Sequence, residues 1–381
     1  MTLWYVFQYL GLVYAAFVRY NFSMSLKIAG NLLSWYEKHG RVLPWRETGG
    51  AYGSPYAVLV SEIMLQQTRV ETVIAYYKRW MERFPNFETL SGAEIDEVFS
   101  MWEGLGYYRR AQNLHRTAKI VVKDYNGNLP SDIKSLKELP GIGEYTAAAV
   151  AAFVYNQDVL TLDGNLKRVL ARVLGVEEDL SARKGKMNLI EKAQSLLPPG
   201  KASDFNQALM DLGALICLPA KPRCEACPLN EHCQAFAEGS QDRIPFRKPR
   251  QAIPHYHVAA GVIQHGKNVL LARRPSGKLL AGLWEFPGGK QEEGESLPDC
   301  LRRELQEELD IQVSVADKIG TYRHAYTHFR VTVTAFSCQI QSGEPTPNEH
   351  DELAWPKINR LSDYPMGKVD RLIAEQLSQN E

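Results

Sequence analysis

The chain has 381 residues, with 44 Lys+Arg against 44 Asp+Glu and an apolar fraction of 45%. That length supports two or three domains, the composition excludes a disordered or low-complexity chain, and zero formal charge excludes a strongly basic protein that coats nucleic acid. The balance is uneven, with +4 on residues 1–250 and −4 on residues 251–381, so the two parts suit different partners.

Residues 1–23 contain an apolar and aromatic run, Leu3–Val18, broken only by Gln8. It is short for a membrane span and no Lys or Arg precedes it, so it is read neither as a targeting signal nor as an anchor, and no stable membrane association is expected. A start-site artefact or a dispensable extension is the preferred reading, because Met24 is a second possible start and opens an amphipathic segment, Ser25–His39. From there to about Ala220, helical periodicity alternates with Gly, Pro and Asn breaks, predicting an all-α domain over residues 24–236. Residues 237–254 interleave Pro245, Pro249 and Pro254 with Arg243, Arg247, Lys248 and Arg250, the composition of a stiff basic linker. Residues 255–381 read as an α+β domain: β-like runs at Val258–Ile263 and Val269–Ala272, a helix over Leu297–Leu309, and strand candidates within Val331–Ile340.

Four motifs in the helical part carry chemistry. In Ser54-Pro-Tyr-Ala-Val-Leu-Val-Ser-Glu62-Ile-Met-Leu-Gln-Gln-Thr68, Ser54 and Pro55 look like an N-cap and first helical residue, which places Glu62 among Val58, Leu59 and Leu65. A carboxyl among apolar side chains has a raised pKa and suits a general acid, and Gln66 and Gln67 offer neutral amides for nucleic-acid contact. In Leu139-Pro-Gly-Ile-Gly-Glu-Tyr-Thr146, Gly141 and Gly143 let the backbone turn and bare its N–H groups at a helix start, the helix-hairpin-helix device for holding a phosphate without base preference. Asp163, in Leu162-Asp-Gly-Asn165, follows by one helix and a loop and returns a carboxylate that can stabilise a positive sugar. Finally, Cys217-x6-Cys224-x2-Cys227-x5-Cys233 crowds four of the six cysteines into 17 residues, a metal-site distribution in a reducing, cytoplasmic compartment. One C-x-x-C with a long spacing on each side suits a cubane iron–sulfur cluster, with zinc as the alternative. Cys300 and Cys338 are expected to be core thiols.

The acidic part carries Gly289-x5-Glu295-x7-Arg303-Glu304-Leu305-x-Glu307-Glu308-Leu309-Asp310-Ile311. This is a Nudix box with one departure, Asp310 where the pattern has glycine. On a helix Glu304, Glu307 and Glu308 share a face that could hold Mg²⁺ against a diphosphate.

These motifs together with Leu43-Pro-Trp-Arg46 and Gly104-Leu-Gly-Tyr-Tyr108 resemble the helix-hairpin-helix DNA glycosylases with a [4Fe-4S] loop, and among them the adenine DNA glycosylases of the MutY family, over nearly all of residues 25–381. The resemblance implies a multidomain fold, an all-α glycosylase domain with its iron–sulfur loop followed by a Nudix-like domain. It also implies roles. Glu62 protonates adenine and assists water; Asp163 stabilises the oxocarbenium or forms a transient sugar ester, supported by Tyr145 and Asn165. Leu43, Arg46 and Gln207 line the adenine pocket, Gln67 and Tyr107 enter the base stack, and Cys217, Cys224, Cys227 and Cys233 hold one [4Fe-4S] cluster. Relatives that cut the strand carry a lysine immediately before the hairpin Thr, whereas this chain has Tyr145, and a phenol cannot form an imine. A monofunctional glycosylase follows, with a glycosylase/lyase as the alternative. The Nudix-like domain of the family reads 8-oxoguanine opposite the adenine through a loop that is typically Phe-Ser-His; here it is Tyr326-Thr327-His328. Because the box is nearly complete, hydrolysis of 8-oxo-dGTP stands as a second possible activity. The implied partner is double-stranded DNA with A:8-oxoguanine or A:G mispairs, bound by a nucleoid-associated monomer, with the linker open to repair or replication proteins. Relative to the family, Gly49–Gly53 is an insertion between Arg46 and Glu62.

Overall fold

The computed structural model describes residues 24–47, 54–246 and 252–379, so the N-terminal extension and the Gly49–Gly53 insertion lie outside the described residues. The helices in chain order are α1 (24–39), α2 (Pro44–Glu47), α3 (Pro55–Leu65), α4 (Val70–Arg83), α5 (Phe87–Ser91), α6 (Ile95–Trp102), α7 (Arg109–Asp124), α8 (Ile133–Glu138), α9 (Glu144–Phe153), α10 (Gly164–Val173), α11 (Arg183–Gln194), α12 (Ala202–Leu215) and α13 (Gln234–Ala237). Eight strands follow: β1 (His255–His265), β2 (Asn268–Val269), β3 (Leu271–Arg273), β4 (Trp284–Glu285), β5 (Gly288–Lys290), β6 (Gln312–Ala325), β7 (Arg330–Ser342) and β8 (Glu352–Ala354). Helix α14 (Leu297–Leu309) lies between β5 and β6, and α15 (Lys368–Gln379) ends the described chain. No described helix is long and apolar enough to cross a membrane.

Contacts divide the molecule into two units. One takes in the described chain up to Met81, Asn86–Glu88, and the described residues from Ile120 to Pro249. Its central helix is α3, which starts at Ser54 with Pro55 in the first turn and is buried on every side from Tyr56 to Met64. The larger part of the core gathers where α10 packs on α12: Leu166, Val169 and Leu170 meet Phe205, Leu209 and Leu212, with Ile28 and Leu32 of α1 added. Two side-chain caps fix helix starts here. Asp132 accepts the Ser135 N–H (2.9 Å) before α8, and Asp163 accepts the Leu166 N–H (2.6 Å) before α10.

The second unit holds Glu82–Pro85, Thr89–Lys119 and the described residues from Arg250 onward. Its main sheet runs β2-β1-β7-β6, with β5 paired to β1; β1 and β7 are parallel, and β6 and β7 antiparallel. A smaller sheet runs β4-β3-β8. Both faces of the main sheet are covered, and the period of two in β1 and β7 shows it. Ala259, Ile263, Phe336 and Cys338 face Leu301, Leu305 and Leu309 of α14, whereas Ala260, Val262, Val331 and Val333 face Ile373 and Leu377 of α15. Cys300 and Cys338 are buried in the first of these layers, as expected. The segment Thr89–Lys119 is tied to this unit by three polar links. Arg371 forks onto Glu103 (2.5 and 2.9 Å), Tyr108 donates to the Met366 carbonyl (3.0 Å), and Arg273 reaches Asp96 (2.5 Å).

Asp310 caps α14 in the left-handed region, at φ 56°, which explains the departure from the box pattern. Glycine is the usual residue there, and Asp is among the few others that tolerate it.

Candidate active site and nucleic-acid surface

Glu62 sits on the buried α3 with 5% exposure. Burial pushes its carboxyl up to about 7, against the opposing pull of a hydrogen bond from Tyr145; Asp163 raises it further and Arg46 lowers it. The Tyr145 hydroxyl, on α9, donates to Glu62 Oε2 at 2.7 Å. Tyr145 is itself held far above the ordinary phenol range by burial and by the charges of Glu62 and Asp163, so it remains a donor. Asp163 is also raised by burial, in spite of the backbone N–H groups of Leu166 and Asn165 that bond it. Three acidic groups from α3, α9 and the start of α10 thus converge, each biased toward its protonated form.

Beside Glu62 opens a pocket on the side of α3. Leu43, Arg46 and Gln207 line it together with Glu62, and Val58, Leu65, Phe153 and Met210 supply apolar walls. Asp163 is not among its lining residues. Arg46 is pinned by a fork onto Asp211 (2.9 and 3.0 Å) and lies over the Tyr36 ring at 5.8 Å. Gln207 has a fixed amide orientation, because Tyr36 OH donates to its Oε1 (3.4 Å) and its Nε2 donates to Ser203 Oγ (3.0 Å). Asn165 faces away from the pocket network: its Oδ1 accepts from Arg168 (2.8 Å), and its Cβ lies against Gly213, where any added methyl would meet it at 2.7 Å.

The hairpin departs from expectation in one detail. Gly141 has φ +78° and makes the turn, but Gly143 is extended and its N-cap geometry is open to any residue. No atom lies within 4 Å of a Cβ built on Gly143. Its glycine therefore leaves open space over the α9 N-terminus, and the turn is the work of Gly141 alone. Gln66 is held to this terminus by a hydrogen bond from its Nε2 to Thr146 Oγ1 (3.2 Å). Gln67 and Tyr107 are exposed, and both occupy the left-handed region, at φ 60° and 50°. Both positions carry the backbone strain that this region imposes on non-glycine residues.

Cys217, Cys224, Cys227 and Cys233 line one pocket, and none is in a disulfide. Burial, and the proximity of the other thiols, raises Cys224, Cys227 and Cys233, with Cys227 pushed up to about 12. Buried Arg172 donates to Cys217 Sγ (3.3 Å) from the same wall. Four thiols lining one pocket, none of them in a disulfide, are a donor set that fits a cluster held by thiolates. Among the described residues no group of three or more His, Cys, Asp or Glu converges on a single metal ion, which a cubane, with one thiolate on each of its four irons, does not require.

In the second unit the box carboxylates are engaged by Arg303, which reaches Glu295 (2.8 Å), Glu304 (3.0 Å) and Glu307 (3.3 Å). Burial raises Glu308 to about 7, opposed by His350. Tyr326, Thr327 and His328 form the β6–β7 connection, closed by Tyr326 N–H to the Phe329 carbonyl (2.8 Å). The Tyr326 ring is turned inward, stacked on Phe329 at 4.8 Å and edge-on to His324 at 4.6 Å, while Thr327 and His328 stand exposed at the tip. A hydrogen bond joins Thr327 Oγ1 to Tyr107 OH, so the loop tip meets the strained tyrosine.

Sequence reasoning missed Arg41 and Asp211. Asp211 lies one helical turn after Gln207 on α12 and Arg41 lies two residues before Leu43, which is the only signal available for either.

Residues 60–199 match the family model described as HhH-GPD superfamily base excision DNA repair protein, and residues 258–376 match that of the NUDIX domain. Adenine DNA glycosylase from Rattus norvegicus is 33% identical over 85% of this chain and 73% of its own length. The enzyme of that name from Homo sapiens is 33% identical over 86% and 69%, and that from Buchnera aphidicola (strain APS) 30% over 92% and 97%. The solved structure of a thermostable thymine-DNA glycosylase superposes with a TM-score of 0.52 at 30% identity, covering 57% of this chain and 98% of that one. The two family-model matches, with a buried acid at the wall of a pocket in the first of them, make this molecule a base-excision DNA glycosylase of the helix-hairpin-helix class, continued by a Nudix domain. Similarity of this extent along both chains settles the narrower assignment: the chain belongs to the adenine DNA glycosylase family.

Proposed function

We propose that the protein is a monofunctional adenine glycosylase that binds double-stranded DNA as a monomer and excises adenine mispaired with 8-oxoguanine or guanine, leaving an abasic site. The observation that carries this reading is Glu62, a buried carboxyl near pH 7 in its titration, at the wall of a pocket shared with Leu43, Arg46 and Gln207. Glu62 gives its proton to N7 of the extruded adenine; the N-glycosidic bond breaks with its electrons on the base. Asp163 offsets the positive sugar, and water then adds at C1′ and returns a proton to Glu62. Tyr145, bonded to Glu62, orients that carboxyl, and Asn165 braces the start of α10 through Arg168. The absence of an amine at position 145 disfavours a lyase.

Gly141 and Gly143 with Gln66 grip the backbone, while Gln67 and Tyr107 fill the space left by the extruded base. The functional division assigned is residues 24–236, a linker at 237–254, and residues 255–381; the matched spans 60–199 and 258–376 fall within the first and last of these. In that last part Thr327 and His328 read the N7–H and O8 edge of the lesion, with Tyr326 as their support. Engagement of Glu304 and Glu307 by Arg303 favours this reader over a Mg²⁺-dependent hydrolase. Cys217, Cys224, Cys227 and Cys233 would hold one [4Fe-4S] cluster, which when bound staples the loop after α12; zinc is the other candidate. Metal analysis with acid-labile sulfide distinguishes them, four irons with four sulfides being expected.

The test uses end-labelled duplexes bearing A opposite 8-oxoguanine, G or T, with and without later alkali. Breaks only after alkali, and only for the first two, are expected. Alkali-independent nicking would overturn the monofunctional reading, and equal excision of A opposite T would overturn the mispair reading.

A further inference from the structure

The pocket poses a problem of charge. Glu62 must keep a proton near neutrality, yet Arg41 and Arg46 stand in the same wall, and a guanidinium ordinarily drives a neighbouring carboxyl to ionise. Glu62 is the one carboxyl among the lining residues, so two unsatisfied arginines would turn to it.

We propose that Asp211, behind the pocket wall on α12, is a positioning residue that captures both arginines and so reserves Glu62 for proton transfer. This rests on the reading of Glu62 as the general acid. Asp211 is fully buried and does not line the pocket, so it acts through the arginines and not on the base. Its two oxygens are used completely. Oδ2 accepts the Arg41 backbone N–H (2.7 Å) and Arg46 Nη1 (2.9 Å), and Oδ1 accepts Arg41 Nε (2.8 Å) and Arg46 Nη2 (3.0 Å), with Arg41 Nη2 also at 2.7 Å. Arg46 Nη1 further donates to the Arg41 carbonyl (3.0 Å), which closes the arrangement into one rigid unit. Two forks on one carboxylate leave neither guanidinium free to rotate toward Glu62, and they cancel one of the two positive charges. The groups that face Glu62 are then accounted for: Tyr145 from α9, Asp163 before α10, Arg46 from α2, and behind Arg46 the set of Arg41, Asp211 and Tyr36.

The experiment is the pH dependence of single-turnover excision in the full-length protein on an A:8-oxoguanine duplex. The unsubstituted protein should lose rate as pH rises through about 7, where Glu62 gives up its proton. Asp211→Asn removes the counter-charge, and its alkaline limb should move down by about one pH unit, with about tenfold slower excision at pH 7.5 and duplex affinity changed by less than about threefold. Arg41→Gln should move the limb up, and the double variant should return it toward its original position. A merely structural Asp211 would lower the amount of active protein without moving the limb. An unmoved limb in Asp211→Asn overturns the proposal; if that variant does not fold, Arg41→Gln decides, and an unmoved or lowered limb there overturns it too. Failure of the underlying reading looks different: the unsubstituted protein would show no limb near 7, or Glu62→Gln would remain active.

Discussion

At Glu62 a cost in stability and a gain in reactivity have one physical origin. Its folded pKa is raised to about 7 from the ordinary glutamate value of 4.5, so in the unfolded chain it ionises first. The folded state therefore binds the extra proton, and the stability present below pH 4.5 is lost as pH rises to about 7, to a limit of about 3 kcal/mol. Glu62→Gln should raise the thermal midpoint at pH 8 and leave it nearly unchanged at pH 4.5; scanning calorimetry at the two pH values checks this, and equal shifts would count against a buried, protonated carboxyl. Tyr145 pulls in the other direction, since its hydroxyl stabilises the ionised form. Tyr145→Phe should move the alkaline limb of excision upward while slowing the reaction by about tenfold, as expected on loss of an orienting hydrogen bond. Local pattern was enough to point to Glu62, because the apolar neighbours that raise its pKa are its own helical neighbours Val58, Leu59 and Leu65. Asp211 had no such signature. Its partners are 165 and 170 residues away in the chain, and only the packing of α12 brings them to it.

Of the elements that end on a special residue, the Gly141 turn was legible in the sequence. The Asp163 cap and the left-handed cap at Asp310 were not read there, although the chemistry of each residue suits its position. The 14-residue β6 was not foreseen. Its pairing with β7 shifts register between Val315 and Lys318 and again before Gly320, so its burial alternates only over Gly320–Ala325 and no single period of two runs through the strand. At the hairpin the two glycines should separate by experiment. Gly141→Ala forces a side chain into φ +78° and should cost about 1 kcal/mol of stability as well as duplex affinity, whereas Gly143→Ala should fold normally and lose affinity alone. Thermal midpoints and duplex titrations give both quantities; a destabilised Gly143→Ala would contradict the extended geometry. At the β6–β7 tip, Thr327→Ala with His328→Ala should erode preference for 8-oxoguanine over guanine more than it slows excision. Parallel loss on the two substrates would remove the lesion-reading role.

At the scale of the molecule, zero net charge concealed a division of labour between a mildly basic glycosylase half and an acidic Nudix half. The titrating groups add a shared feature. Glu62 in one unit and Glu308 and Asp370 in the other are all raised to about 7, principally by burial. Each folded carboxyl takes up a proton that its unfolded counterpart has released, so the contribution of these three groups to stability should fall as pH rises from about 4 to 7 and then level off. The measurement that bears most directly on the whole account is single-turnover excision by Glu62→Gln on an A:8-oxoguanine duplex, with binding followed on the same material. We predict no alkali-sensitive product above background and duplex affinity within about threefold of the unsubstituted protein, because an amide has no proton to give. Excision at or near the original rate would contradict the general-acid mechanism.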